Sequence, residues 1–408
     1  MQKLINDPIY GFIELPQGII SELIAHRFYQ RLRRISQLGM AQYVYPNATH
    51  SRFSHTLGAL HLMQTAIAAL RKKNVLISDD EEQAVLIAIL LHDLGHSPFS
   101  HSLEYCLAQL HHEDISVALM EELNLEKGNL QGALTMALAI FKDEYPKRFL
   151  HQLVSGQIDV DRLDYLTRDS YFTGVAEGKV GYKRILEMLQ VVDNQLVVEF
   201  KGIYSIESFL IARRLMYWQV YLHKAVVVSG QMLANAIARA RELAKNNALD
   251  TAKLSVSLIF FLQNNIDKKA LRSRRQEVLT HFVALDDSDI WQALKDFTLS
   301  DDIILRQLAD GLINRELLKV RSSDQPFPPQ LVADMRDKVA QHFGISAHEA
   351  DYLVFVREET NQAYNSRKQT IQILRHDGSV SPISDWQEHN IQPKAIVKYY
   401  LCAPRWAW

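Results

Sequence analysis

The chain has 408 residues, enough for about two or three domains at roughly 150 residues each. Hydrophobic residues make up 48% and charged residues 23%, the balance of a folded globular protein and not of a disordered chain. A formal net charge of -2 argues against a phosphate-coating nucleic-acid binder, and having only two cysteines, Cys106 and Cys402, argues against a disulfide scaffold or a cysteine-only zinc site.

The opening MQKLINDPIYGF lacks the apolar stretch of a signal peptide, because Asn6, Asp7 and Pro8 interrupt it. No run reaches the roughly 18 apolar residues of a membrane span. The expected setting is the reducing cytoplasm. Residues 1 to about 50 read as short helical pieces alternating with turns at Asn6-Asp7-Pro8 and Tyr45-Pro46-Asn47, with an arginine-rich helical spacing from Ile19 to Leu38. Ser54 to Lys72 reads as a helix. Asp79 to Glu82 places four acids at a helix start, where the macrodipole favours them. Ala84 to Leu91 is apolar all round, which predicts a helix buried on every side and ending near Gly95. The helical pattern runs to about residue 320, interrupted by a hairpin around Asp193-Asn194 within Val192 to Phe200. Farther on come a helix over Val332 to Phe343, a strand over Thr370 to Leu374, a turn at Asp377-Gly378 and a last strand over Val397 to Cys402. The expected fold class is mainly α: a helical core over 1–240, a helical extension over 241–325 and a small α+β C-terminal lobe over 326–408.

Histidine is the unusual count, at 16. His92 and Asp93 end the helix that is apolar all round. A desolvated carboxylate needs a cation, and its own segment supplies no arginine. A divalent metal answers that need, and neutral imidazole is a common partner ligand. With His55 and Asp161 from other predicted helices, the set offers two imidazoles and two carboxylates, which suits Mn, Fe, Zn or Ni. Asp161, Tyr165 and Asp169 fall at i, i+4 and i+8, so they share one helical face. They form a wall on which a phenol ring can pack against a sugar and an acid can bind its hydroxyl. The competing reading makes Asp159, Asp164 and Asp169 a solvated helix face, ion-paired with Arg162 and Arg168. His26, His50, His61, His111, His151 and His348 are read as structural.

The order His55, His92-Asp93, Asp161 resembles the HD-domain phosphohydrolases, and within them the deoxynucleoside triphosphate triphosphohydrolases. The resemblance takes in Asn6 to Gly11, Gln30 to Arg33 with Gln37-Leu38-Gly39, Arg52 to His55, His92 to His101, Asp159 to Asp169, and Arg213 with Tyr221 to Lys224. It implies a helical HD-domain core and hydrolysis of a deoxynucleoside triphosphate (dNTP) to deoxynucleoside and inorganic triphosphate. His55, His92, Asp93 and Asp161 are then the ligands of one divalent metal ion (Mn, Fe, Zn, Ni or Mg). His96 and His112, together with Asp93, carry the chemistry, and His101 reaches the α-phosphate region. Arg52, Arg162 and Arg213 bind phosphates, with Arg162 standing where the family often has lysine. Tyr165 stacks on the deoxyribose, Asp169 takes the 3′-hydroxyl, and Tyr221 leaves little room for a 2′-hydroxyl. Gln37 and Leu38 lie near sugar and base. The resemblance further implies a homo-oligomer, a dimer or tetramer, and a nucleotide effector. Ala25 stands where the regulated relatives carry a guanine-reading acid, although Lys3, Gln30 and Arg33 remain, and Leu222 replaces a glutamine after the pocket tyrosine. Two alternatives remain open: an HD phosphohydrolase acting on another nucleotide or phosphate ester, and a nucleotide sensor without turnover. Nucleic acid and membrane are not expected partners.

Overall fold

The computed structural model describes residues 3–361, 370–385 and 396–408. Strands enter first as a hairpin, β1 (Lys3–Asp7) and β2 (Gly11–Leu15), paired antiparallel where the sequence suggests helical pieces and turns. The period-two signal is present in β2, where buried Ile13 and Leu15 flank exposed Glu14, and Gly11 supplies the left-handed φ of 77° that the turn requires. The stretch from Ile19 to Leu38 is not one helix. It breaks at His26, whose backbone is extended and whose ring caps the next short helix by accepting from Phe28 N. A 3-10 turn over Arg31–Arg34 follows.

The core is built around the helix Asp79–Leu91. A Ser78–Glu81 capping box starts it, and every side chain from Ala84 to Leu91 is buried, as the all-apolar run predicts. The helices Arg52–Lys72 and Ala133–Phe141 pack against it. The helix Val160–Thr173 in turn crosses Arg52–Lys72 at Gly58. A Cβ there would sit 1.9 Å from Oδ1 of Asp164, so only glycine allows this crossing.

The expected hairpin is β3 (Leu189–Val192) and β4 (Gln195–Glu199). The remaining strands are β5 (Lys319–Ser323), β6 (Phe355–Asn361), β7 (Gln372–Leu374), β8 (Val380–Pro382) and β9 (Ile396–Ala403). Among the described residues, β5-β9-β6 forms an antiparallel sheet beside the helix Pro329–Phe343, while β7-β8 joins β3-β4 through a parallel pairing of Val198 with Ile373. Strand pairing therefore crosses both expected boundaries, at 240 and at 325. The fold is mainly α with small sheets. Among the described residues no helix is long and apolar enough to cross a membrane.

Candidate active site

The end of the buried Asp79–Leu91 helix delivers His92 and Asp93 into the interior, as the sequence indicates. His92 Nδ1 donates to the Ile89 carbonyl at 2.6 Å, which leaves Nε2 as the ring's lone-pair nitrogen. His55, on the first turn of Arg52–Lys72, donates through Nδ1 to Asp164 at 2.8 Å and likewise presents Nε2. The two Nε2 atoms lie 3.1 Å (His55) and 3.5 Å (His92) from the same oxygen of Asp161, and His92 Nε2 lies 3.2 Å from Asp93. Neither Nε2 makes a hydrogen bond among the described residues, although both are buried. One ligand atom from each of His55, His92 and Asp161 falls within 4.8 Å of the others, with Asp93 alongside. Two oriented, partnerless imidazole nitrogens facing two carboxylates fit a divalent cation.

The electrostatics agree. Burial opposes charge on His55, but Asp161, Asp164 and Asp93 outweigh it and hold its pKa up at about 10. Burial likewise opposes charge on His92, yet the carboxylates of Asp93 and Asp161 raise its pKa. Asp161 is pulled below the usual carboxylate range by the two histidines, against its burial. So much negative charge gathered around two imidazoles suits a cation. Asp93 is also drawn down, against burial, by Arg52, whose Nη1 lies 2.5 Å from its Oδ2. An arginine thus does meet Asp93, from another helix and not from its own segment. Arg52 also donates through Nε to Ser100 Oγ at 2.7 Å.

Beside this quartet lies a cluster of imidazoles. His96 stacks on His112 with ring centroids 4.0 Å apart, and His101 approaches both edge-on. Burial and the neighbouring Arg52 push the His96 pKa well below its ordinary value, so this ring is neutral. Glu104 receives Nδ1 of His101 and Nδ1 of His112, each at 2.7 Å, and holds both rings. Sequence reasoning missed Glu104, although it sits three residues after His101. The adjacent His111 and His112 take different places. His111 caps the helix His112–Glu126 by accepting from Glu113 N, and His112 faces His96. Gly95 allows this approach: a Cβ there would meet the His112 carbonyl oxygen at 2.0 Å.

The solvated-face reading of the third segment fails. Asp159, Asp164 and Asp169 are all buried. Asp159 caps Val160–Thr173 through Arg162 N at 2.7 Å and pairs with the Arg162 guanidinium. Asp164 makes a two-point pair with Arg168, at 2.9 and 3.0 Å, behind His55. Asp169 accepts from Tyr221 OH at 2.7 Å on one oxygen and from His50 Nε2 at 2.8 Å on the other. Burial, and then Asp169, raises the Tyr221 pKa, which keeps the phenol protonated. The Tyr165 ring lies between, 6.5 Å from His55 and 6.2 Å from Tyr221. Arg213 is buried, and its Nε and Nη1 have no hydrogen-bond partner among the described residues. Gln37 is buried with an unpartnered Oε1, and Leu38 next to it is half-buried. Of the histidines read as structural, His26 pairs with Glu126 and His151 bonds the Ile140 carbonyl. His50 departs from that reading by meeting Asp169.

A helical core converges histidines and aspartates from separate helices on one candidate cation site, with a neutral histidine alongside, an arrangement suited to a metal-dependent hydrolase. The HD domain matches residues 52–169, and the HD associated region matches 180–258. A phosphohydrolase from Bacteroides thetaiotaomicron, solved by crystallography, superposes with a TM-score of 0.94 at 46% identity, over 99% of this chain and 100% of that one. The Bacillus subtilis protein YwfO is 32% identical over 78% of this chain and 71% of its own length. The deoxynucleoside triphosphate triphosphohydrolase SAMHD1 homolog of Dictyostelium discoideum is 32% identical over 67% of this chain and 57% of its own length. The chain belongs to the HD-domain phosphohydrolase family.

Proposed function

We propose that the protein hydrolyses deoxynucleoside triphosphates to deoxynucleoside and inorganic triphosphate. One observation carries this reading: Tyr165, Tyr221 and Asp169 follow on from His55, so ring faces and an acceptor suited to a sugar adjoin the candidate cation site. The Dictyostelium relative, named for this reaction, supports it. His55, His92, Asp93 and Asp161 would hold the divalent ion, which when bound supplies Lewis acidity toward a phosphate oxygen.

The chain's own groups do the rest. Tyr165 packs against the deoxyribose, and Asp169 accepts its 3′-hydroxyl. The free N–H groups of Arg213, with Arg162, take phosphate oxygens; arginine presents a planar fork matched to them. Water attacks the α-phosphorus, the bond to O5′ breaks, and a proton passes through the neutral ring of His96 to the departing O5′, with His112 stacked on it. Glu104 steers His101 and His112 during that transfer. A nucleotide effector belongs to the same proposal, with Lys3, Gln30 and Arg33 retained and Ala25 in place of the guanine-reading acid. So does a homo-oligomer, a dimer or tetramer, which sedimentation reads.

The test is a product assay with manganese on each dNTP and NTP, with and without a second dNTP, beside a His92→Ala, Asp93→Ala protein. Triphosphate and deoxynucleoside from dNTPs, absent in the double variant, is the expected result. Release of monophosphate and pyrophosphate, or of single phosphates, would favour hydrolysis of another ester. Tight dNTP binding with no product would favour a sensor.

A further inference from the structure

His50 has the marks of more than packing. It lies two residues before Arg52, on the loop leading into the Arg52–Lys72 helix, and its side chain is 1% exposed. Its Nε2 reaches Asp169 at 2.8 Å, and its ring stacks on Phe172 at 4.5 Å with only 13° between planes. Its Nδ1 has no partner among the described residues. Its carbonyl accepts from Gln37 N at 3.0 Å, which joins it to the loop expected near sugar and base.

The consequence lies at Asp169. A carboxylate on a helix can rotate about χ2, and a rotating acceptor reads a hydroxyl poorly. Here each oxygen already accepts one hydrogen bond, one from His50 and the other from Tyr221. The plane of the carboxylate is therefore fixed before any ligand arrives, and only its remaining lone pairs can point at one. Preorganisation of this kind raises affinity by removing the cost of ordering the acceptor.

We propose that His50 is a positioning residue for sugar recognition: through Asp169 it sets the preference for a nucleotide bearing a free 3′-hydroxyl. This rests on the reading of Asp169 as the 3′-hydroxyl acceptor and goes beyond it by naming the group that makes that acceptor selective. Tyr221 alone would leave the carboxylate hinged on a single contact. His50 also ties the sugar wall to the Gln37 loop, so that loop and wall hold one geometry.

Two substitutions separate hydrogen bonding from packing. His50→Phe keeps a ring on Phe172 and removes the donor. His50→Gln keeps an N–H donor near the position of Nε2 and removes the ring. The probes are α-thio dNTPs, whose ester resists hydrolysis, and their 2′,3′-dideoxy counterparts, with affinity measured by calorimetry on the metal-loaded protein. The wild type is expected to favour the 3′-hydroxyl form. His50→Phe is expected to weaken binding of that form about tenfold, the scale of a weakened contact to a charged acceptor, and to leave the dideoxy form unchanged. His50→Gln is expected to restore most of the preference. In steady-state assays the Phe effect falls on KM and leaves kcat near the wild-type value. A preference unchanged in His50→Phe overturns the proposal, and so does an equal loss on both probes or a wild type that does not distinguish them. A wild type that distinguishes the probes and releases no triphosphate overturns the hydrolytic reading and leaves the role of His50 standing.

Discussion

Asp164 stands 2.8 Å from Nδ1 of His55 and turns that ring so that Nε2 faces Asp161. The acid touches no substrate and is not one of the expected metal ligands, yet it sets which nitrogen can bind a cation. It holds Arg168 as well, whose Nη1 reaches Asp7 on β1 at 2.8 Å. One carboxylate therefore joins the metal site to the N-terminal hairpin.

Removing that acid should act on metal and fold together. Asp164→Asn is expected to lower metal affinity about tenfold to a hundredfold, the usual effect of losing a carboxylate behind a metal-binding histidine. Asp164→Ala additionally leaves Arg168 with only Asp7 and is expected to cost about 3 kcal/mol of stability. Metal titration and chemical denaturation measure the two effects. Full metal affinity in Asp164→Asn would show that the His55 ring is held by something else.

Glu104 gives a pH signature. His101 and His112 draw its pKa below the ordinary value against the opposing effect of burial. A depressed carboxylate pKa adds stability above the unfolded-state value of about 4.3 and loses it as pH falls toward the folded value. The wild type should therefore be more stable than Glu104→Gln near neutral pH, and the gap should close as pH falls below about 4. Denaturation curves of both proteins across that range read it. A gap that stays constant would mean the carboxylate charge is not what holds the two rings.

Asp287 ties a distant helix to the turn after His96. Its carboxylate accepts from Ser36 N at 2.9 Å, Ser36 Oγ at 2.6 Å and Phe99 N at 2.8 Å. Ser100 then donates to the Ser36 carbonyl at 2.5 Å and receives Arg52, which reaches Asp93. Phe99 and Ser100 both have φ of 55°, a backbone form that non-glycine residues adopt at a cost. Without Asp287 the turn should relax. Asp287→Ala is expected to lower kcat about tenfold to a hundredfold, as a small misplacement of reacting groups does, with metal content unchanged. Asp287→Asn, which keeps an acceptor, should retain more activity. Steady-state kinetics beside metal analysis decide this, and wild-type kcat in Asp287→Ala would remove the link.

Gly95 admits no side chain, because its ideal Cβ would meet the His112 carbonyl oxygen at 2.0 Å and Ser116 N at 2.5 Å. Both obstacles are backbone, so neither can swing aside. Gly95→Ala is expected to cost about 1–3 kcal/mol and to separate His96 from His112. Thermal melting and turnover should fall together, and a variant that melts like the wild type would mean that the His112–Glu126 helix shifts freely.

The parts of the site legible in the sequence are those with local signatures. An all-apolar run feeding into His92-Asp93 announces a buried, charged helix end, and the i, i+4, i+8 spacing places Asp161, Tyr165 and Asp169 on one helix. The late strands show as short runs around Thr370 to Leu374 and Val397 to Cys402, with a turn at Asp377-Gly378. What escaped depends on contacts between distant segments. His50 and Asp287 look like ordinary polar residues until Asp169 and Phe99 stand beside them. The β1–β2 hairpin reads as turns because Asn6-Asp7-Pro8 interrupts it and β1 does not alternate buried with exposed residues. The break at His26 follows from a local ring-to-backbone bond that no apolar period records.

The parallel pairing of β4 with β7 has a further consequence. The family matches end at residue 258, but β7 closes an edge of the core hairpin, and β9 sits between β5 and β6. A chain cut at 325 strips β9 from β5 and bares the β4 edge, two rows of unpaired backbone open to aggregation. The helices that carry the candidate site therefore share their sheets with the tail. The tail acts as a clasp on the core, with β7 holding the β3–β4 hairpin and β9 holding β5.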